Sequence, residues 1–512
     1  MNAKQMTIGG IVLLLADAQV RADLAALTAS GGAIPTLQSK VAALEALIQT
    51  DSDAAINKFN EIVAFLAGLS DTDQASLVSL LNGKANASHT HTKSEISDFA
   101  HNHDDRYYTE TEIDSLISGY FTKQAGELLQ KEVKDLKAQM EYVEQAGVSS
   151  FTLEGDSNPA FNVANKGAAE RYIKAMGGYA FVTKNGTTYA AKLHPAGWDK
   201  YADGTQVSDA SKFETMVKTP TCHFKGSGKT LDFGGLTPVT GGHSFDCPQW
   251  HGAYLISIDG NGKAHSRPGV APAHSKTMTE FWNAAQALGT NWGLAGYQFF
   301  CLFNALYQAR YGNLNSQKTI GMGWQHSDWQ HCRDVAMGLT ISLGDATGSV
   351  LYNDATVGDQ HPTKLFGFED LYSKLWQFAP GIRFYMDGST RKAVVYTGNQ
   401  VSNTANGRVI SPVLDSASGQ YATQMQLGEY WDMVCQAVGG SDATYYCDGY
   451  WAATGGELLL FGGAAGSLAP CGVACSASTD AFSHSHTSVG ARLAFFGTPT
   501  IVTGAELEEL LA

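Results

Sequence analysis

The sequence predicts an α+β protein in two parts, an N-terminal α-helical coiled-coil stalk and a larger C-terminal head of short strands and two helices. Two observations carry this. Apolar residues step at heptad spacing through two stretches before residue 147, and beyond Gly147 the composition turns abruptly to Gly, Tyr, Trp and Phe in short β-like runs. A third feature points to where the head works: a run of small and polar residues, Ala464 to Ser488, clamped between two strand-like segments.

Residues 1–35 close on Gly31, Gly32 and Pro35, which punctuate a boundary. The apolar run Ile11 to Leu15 is too short to span a bilayer, so no membrane insertion is expected and the segment reads as a docking element for a partner protein. In residues 36–85, Leu37, Val41, Leu44 and Ile48 step by four, three and four; after a phase slip Ile56, Phe59, Val63 and Leu66 resume. In residues 111–147, Leu129, Val133, Leu136, Met140 and Val143 repeat the stepping with Lys and Glu between them. A narrow seam of this spacing must be buried against copies of itself. An amphipathic helix within one globular domain would show similar stepping, but no other apolar segment lies nearby to receive it. Ala and Ser at several seam positions leave the number of chains open.

Between the two helical stretches, residues 86–110 carry His89-Thr90-His91, His101-Asn102-His103 and Asp104-Asp105-Arg106-Tyr107-Tyr108. The head, residues 148–512, begins with a hairpin signal: Tyr179 to Thr183 and Thr187 to Ala190 flank Asn185-Gly186. Thr277 with Glu280 forms a capping-box start for a helix through Phe281, Trp282 and Leu288 that stops at Gly289. A second helix places Phe299, Leu302, Phe303 and Leu306 on one face and stops near Gly312.

The flanks of the insert, Leu458 to Gly463 and Val489 to Phe495, read as short buried strands. The insert itself, rich in Ala, Ser, Gly, Thr, Cys and His, has neither helical nor strand period. It is expected to be a loop-rich display surface held rigidly by those strands. Among the aromatics of this half, Trp324 and Trp376 read as core. Tyr445, Tyr446, Tyr450 and Trp451 directly precede the insert and are candidates for surface contact, with Trp329, Tyr430 and Trp431 open to either use.

Bulk numbers exclude several classes. A chain of 512 residues exceeds one ordinary core. A net charge of −15 argues against nucleic acid and against an anionic bilayer, because both need a basic face. Charged residues are only 16 %, below the roughly 25 % of ordinary domains, while glycines number 55, the profile of a rigid loop-rich scaffold. The eight cysteines are spread along the chain and read as reduced, partly buried thiols. Cys222, His223, Cys247 and His251 match no zinc-finger or ribbon spacing, so no metal ligand and no cofactor is expected. Gly-x-Ser-x-Gly, a phosphate-binding loop and His-Glu-x-x-His are all absent from the sequence, and no catalytic residue is assigned.

Four motifs in order carry a resemblance: Asn315-Ser316-Gln317 before Ile320-Gly321, Leu365-Phe366-Gly367-Phe368-Glu369-Asp370-Leu371-Tyr372-Ser373-Lys374-Leu375-Trp376-Gln377-Phe378, Gly462-Gly463, and Gly490-Ala491-Arg492-Leu493. With Gly472 and Ser483-x-Ser485 they resemble the C-terminal region of phage proteins with a C-type lectin-like fold. That group includes the variable proteins diversified by retroelements and is similar in fold to the sulfatase-modifying-factor domain. The resemblance covers roughly residues 170–500. The segment at 89–108 resembles the His-x-His and Asp-Asp-Arg-Tyr-Tyr pattern of phage tail-fibre shafts. In a trimer three copies would gather six imidazoles, a set suited to a transition metal, or the histidines pack in a polar neck; no ligand is assigned.

The resemblance implies a bacteriophage tail fibre or tail-tip adhesin, a homotrimer in the virion assembled in the host bacterial cytoplasm. Its N-terminus would dock on other tail proteins, and its head would bind a host cell-surface receptor, either polysaccharide or outer-membrane protein. It carries the fold and not the oxidase activity, since Cys471 and Cys475 fall within the insert; a tail-associated polysaccharide hydrolase or oxidase, or a structural fibre, is the rival reading. It further implies outward-facing receptor contacts at Ser467, Ala469, Ala474, Ser476, Ser478, Thr479, Asp480, His484, His486 and Ser488, with Tyr450 and Trp451 beside them. Gly472, Gly490 and Arg492 would be frame residues. Whether a retroelement diversifies the insert is decided by the adjacent genome.

Overall fold

The computed structural model describes residues 4–8, 11–15, 147–153, 157–396 and 407–512. The expected coiled-coil stretches and the His-x-His neck lie outside the described residues. Near the N-terminus, Lys4–Ile8 and Ile11–Leu15 pair as an antiparallel hairpin with Ile8 opposite Ile11, so the apolar run is a strand. No helix among the described residues is long and apolar enough to cross a membrane.

The head mixes helix and sheet, with strands predominating. Its first seven-stranded sheet runs Trp292–Leu294, Arg492–Phe495, Trp250–Leu255, Glu214–Lys218, Gly177–Lys184, Thr187–Lys192, Thr500–Val502. All neighbours are antiparallel except the last pair, in which Thr500–Val502 runs parallel to Thr187–Lys192. The predicted hairpin supplies its fifth and sixth strands: Lys184 pairs with Thr187 across Asn185 (φ 53°) and Gly186 (φ 79°), the two positive-φ positions that this tight turn requires. A second seven-stranded sheet runs Asp432–Val438, Ala417–Leu427, Gly449–Ala452, Ser476–Ser478, Leu460–Phe461, Trp376–Phe378, Val489–Gly490. The chain thus leaves one sheet at Gly490 and enters the other at Arg492, with only Ala491 between.

Both predicted helices form. Met278–Gln286 starts at the Thr277–Glu280 capping box, and Tyr297–Tyr311 ends on left-handed Gly312. The second differs from the one-faced helix expected, because Phe300, Cys301, Ala305 and Tyr307 are buried with Phe299, Leu302, Phe303 and Leu306. It is covered on several sides. Two helices are also too few. Gly167–Ala175 and Gly504–Leu511 are helical, as are the short turns Ser316–Thr319 and Trp329–Asp334. The C-terminal helix carries its own capping box, Thr503 with Glu506, a legible signal.

One side chain ties these layers together. Arg492 is buried, and its Nε donates to Gln377 Oε1 (3.0 Å). Nη1 donates to the carbonyls of Gly252 (2.9 Å) and Ala253 (2.7 Å), and Nη2 to those of Glu369 (2.8 Å) and Asp370 (3.4 Å). Desolvation pulls its pKa down to about 9, held from falling further by Asp370 and Glu369. The same loop buries Glu369, which accepts from the backbones of Gly338 and Thr340, and Asp370, which accepts from Trp324 Nε1 (2.9 Å) and faces Lys374 Nζ at 3.7 Å.

Replacing Arg492 by Met should leave buried carbonyls without donors and cost at least about 3 kcal/mol, at 1–3 kcal/mol for each buried polar group left unsatisfied. Arg492→Lys, which keeps the charge but not the planar fork, should fall between. Denaturant unfolding followed by tryptophan fluorescence measures both.

Candidate functional site

The insert divides into a buried base and an exposed loop. In the base, Cys471, Gly472, Val473, Ala474, Cys475, Ser476, Ala477 and Ser478 are all buried. Ser476–Ser478 is a central strand, parallel to Gly449–Ala452 on one side and antiparallel to Leu460–Phe461 on the other. The Asn315-Ser316-Gln317 motif clamps this base from outside the insert. Asn315 Nδ2 donates to the Asp442 carbonyl (2.9 Å), and Ser316 Oγ accepts from Val473 N (3.0 Å). Gln317 Nε2 donates to Asp448 Oδ1 (2.7 Å) and to the Ala469 carbonyl (3.0 Å). Asp448, fully buried, also accepts from Ala474 N (2.7 Å). Burial pushes its carboxyl up to about 8, against the lowering effect of those two donors.

Small residues here are a packing requirement. A Cβ on Gly472 would run into Asp448 Oδ1, and one on Gly463, at φ 76°, would strike Cys471 Sγ. All eight cysteines of the chain are free thiols, seven of them buried and Cys247 half-buried. Among the described residues no cluster of three or more His, Cys, Asp or Glu could hold a metal.

The outward orientation expected for Ala474, Ser476 and Ser478 is therefore corrected: all three face the interior, because the segment is a strand in mid-sheet. Ser478 Oγ meets Tyr450 OH (2.7 Å) and receives Arg391 Nη1 (3.0 Å). Tyr450 is buried for the same reason and is likewise corrected, burial raising its pKa to about 12. Trp451 is half-buried and packs edge-on against half-buried Trp376 (5.3 Å between ring centroids). Trp324 is core, as expected.

The remaining positions reach the surface in two places. Ser467 and Ala469 are half-buried on a turn whose Leu468 is 44 % exposed. Gln325 Nε2 bridges the carbonyls of Leu468 (3.1 Å) and Met322 (3.0 Å) there. The second place is the loop Thr479 to Ser488. Its backbone is fixed: Glu457 N and Leu458 N both donate to the Asp480 carbonyl, Phe482 N donates to Glu457 Oε2, and Ser275 N donates to the His486 carbonyl. On this frame His484 Nδ1 pairs with Asp480 Oδ1 (3.1 Å), and Thr479 Oγ1 donates to Asp480 Oδ2. His486 is exposed, lies near-parallel to His484 (centroids 6.1 Å) and to Trp329 (6.0 Å), and meets Ser488 Oγ through Nδ1 (2.7 Å).

Sequence reading left Trp329 undecided and missed Arg333 and His274. Arg333 lies over the Trp329 ring (5.8 Å), pairs with Asp334 (2.6 Å) and reaches the Thr487 carbonyl. His274 stands 3.9 Å from Asp334, its pKa lowered by burial and by Arg333. Arg333 and Thr487 stand 154 positions apart, so no local motif announces their contact.

No family model matches the chain, and no curated protein matches it. Among solved structures, the chain is similar to the Major Tropism Determinant U1 variant at 14 % identity and a TM-score of 0.23, over 62 % of this chain and 72 % of that one. It is similar also to the P3c variant, at 14 % identity and a TM-score of 0.24, over 68 % and 83 %. These superpositions are loose, and no residue role is carried over from them.

Asp448 makes stability depend on pH. Its folded pKa of about 8 lies above the ordinary 3.8, so its contribution is fully present below the ordinary value and is lost as pH rises through 8. Asp370, raised by burial, acts in the same direction. The Asp448 contribution should decline from pH 5 to about pH 8, against the opposite contribution of buried His251, Lys364 and Lys374, whose pKa values are lowered. Asp448→Asn should therefore make the slope of unfolding free energy against pH more positive than in the parent, while lowering stability at about pH 5, where one acceptor is lost. An unchanged slope in the variant would remove Asp448 from this role.

Proposed function

We propose that this chain is a bacteriophage tail-fibre or tail-tip adhesin whose head binds a host cell-surface receptor, a polysaccharide or an outer-membrane protein. Binding is through the exposed part of the insert. One observation carries the reading: the loop Thr479 to Ser488 displays His484, His486 and Asp480 on a backbone fixed at both ends, beside the Trp329 ring. Such a platform separates the residues that recognise from those that fold, so the first can vary without the second. Ser467, Ala469, Thr479 and Ser488 complete the surface, with Trp451 at its margin as a weaker candidate. Most of these side chains are small, so affinity per head is modest and avidity matters.

In this reading the chain is a homotrimer through residues 36–147, residues 1–35 attach it to other tail proteins, and it resides in the virion. It acts by binding and not by catalysis. Three heads on one stalk raise the effective concentration of each weak site without any new contact.

Alanine at His484, His486 and Asp480 together should lower host adsorption by about tenfold or more, on the scale of hot-spot truncations, while circular dichroism and oligomeric mass stay unchanged. Unaltered adsorption would exclude the insert as the contact surface. Incubating the protein with host surface polysaccharide should release no reducing sugar; robust cleavage would support the rival hydrolase. Mass photometry at micromolar concentration should give three copies per particle, and a monomer would refute the stalk.

A further inference from the structure

A groove of about 430 Å³ lies away from the insert loop, between the start of the head and the strand Ala417–Leu427. This volume is within the range of small-molecule sites, about 300–1,000 Å³. Its floor is apolar and buried: Leu153, Leu314, Met425, Leu427 and Tyr446. The half-buried rings of Phe161 and Tyr445 stand in its walls. Among the described lining residues the rim is polar, with the exposed amides of Asn158, Asn162 and Gln424 and the hydroxyls of Thr152 and Thr423, and Lys229 is the one charged group.

We propose that this groove binds a short segment of neutral glycan. A pyranose ring has an apolar face of C–H groups and an edge of hydroxyls that both donate and accept. Aromatic rings above an apolar floor match the face, and side-chain amides match the edge; of these, Asn158 Oδ1 also accepts from Ala160 N (3.0 Å) and Gln424 Nε2 also donates to Gln436 Oε1 (3.2 Å).

The alternative guest for a groove beside a strand is an extended peptide, which needs open main-chain groups to pair with. Here four of those groups are occupied. Leu153 N donates to the Lys229 carbonyl, Phe161 N to that of Gly312, Leu314 N to that of Pro159 and Tyr445 N to that of Ser157, each at 2.9 Å. What the groove offers is side chains, and that favours the sugar.

Tyr445 is held in the left-handed region at φ 54°, a strained conformation for a non-glycine residue that persists only where surroundings impose it. The turn Ser441 to Thr444 sets it there, through Ser441 N donating to Thr444 Oγ1 (2.8 Å).

The test uses the purified full-length protein and titration calorimetry with chitotriose, mannotriose and maltotriose, and with an extended Thr-Val peptide. At least one trisaccharide should bind saturably below about 10 mM, a range in which sites worth only a few kcal/mol still fill. Asn162→Ala and Gln424→Ala, both at exposed positions, should each weaken it several-fold, and Tyr445→Ala by about tenfold. The triple alanine variant at His484, His486 and Asp480 should bind the sugar unchanged, which separates this site from the insert surface whatever becomes of the adhesin reading. Absence of saturable binding by all three sugars overturns the proposal, as does binding indifferent to the groove variants. Binding of the peptide in competition with the sugar would replace it with strand recognition.

Discussion

A guanidinium with no access to water organises this head. Arg492 enters the first sheet one residue after the chain leaves the second, and its donors reach Gly252 and Ala253, Glu369 and Asp370, and Gln377. Desolvating such a group is expensive, and only a full set of acceptors offsets it. The geometry of strand Trp250–Leu255, of the loop at 369–370 and of strand Trp376–Phe378 is therefore fixed by one requirement. Few alternative packings could satisfy it, which is why the loops around it are ordered without being regular.

The loop from Phe366 to Lys374 extends the same logic. Phe366, Asp370 and Ser373 have positive φ, and Glu369, Asp370, Lys374 and Lys364 are buried. Lys364 Nζ lies 3.5 Å over the Trp198 ring and donates to the Thr340 carbonyl; burial pulls its pKa to about 7 although Glu369 and Asp345 oppose this. Charges that would sit outside in an ordinary domain are here the internal ties of a scaffold with little regular structure.

That rigidity bears on recognition. The segment Ser441 to Asp448 serves two surfaces: Tyr445 and Tyr446 line the groove, while Asp448 holds the base of the insert through Ala474. The exposed loop at 479–488 is fastened by backbone bonds to Glu457, Leu458 and Ser275 and by Phe482 packed against the core, so its His484 and His486 side chains carry little of the folding. A surface of this kind tolerates exchange of His484 or His486 at little structural cost.

Local signals determined what local physics decides. The Asn185-Gly186 turn, the Thr277 capping box, the Gly312 stop and the strands flanking the insert were readable because each depends on a few neighbouring residues. The family resemblance named Arg492, Gly472 and Gly490 as frame positions, although not what they touch. Tertiary structure alone decided the fate of the small residues. Ala, Ser and Gly suit an exposed loop and a tightly packed interior equally well, and nothing within Ala464 to Ser488 distinguishes them. Asp448, Ser316 and Gln317 do, by enclosing Gly472 to Ala474. The same holds for Trp329, Arg333 and His274, brought beside His486 by contacts between segments far apart in the chain, where period and propensity are silent.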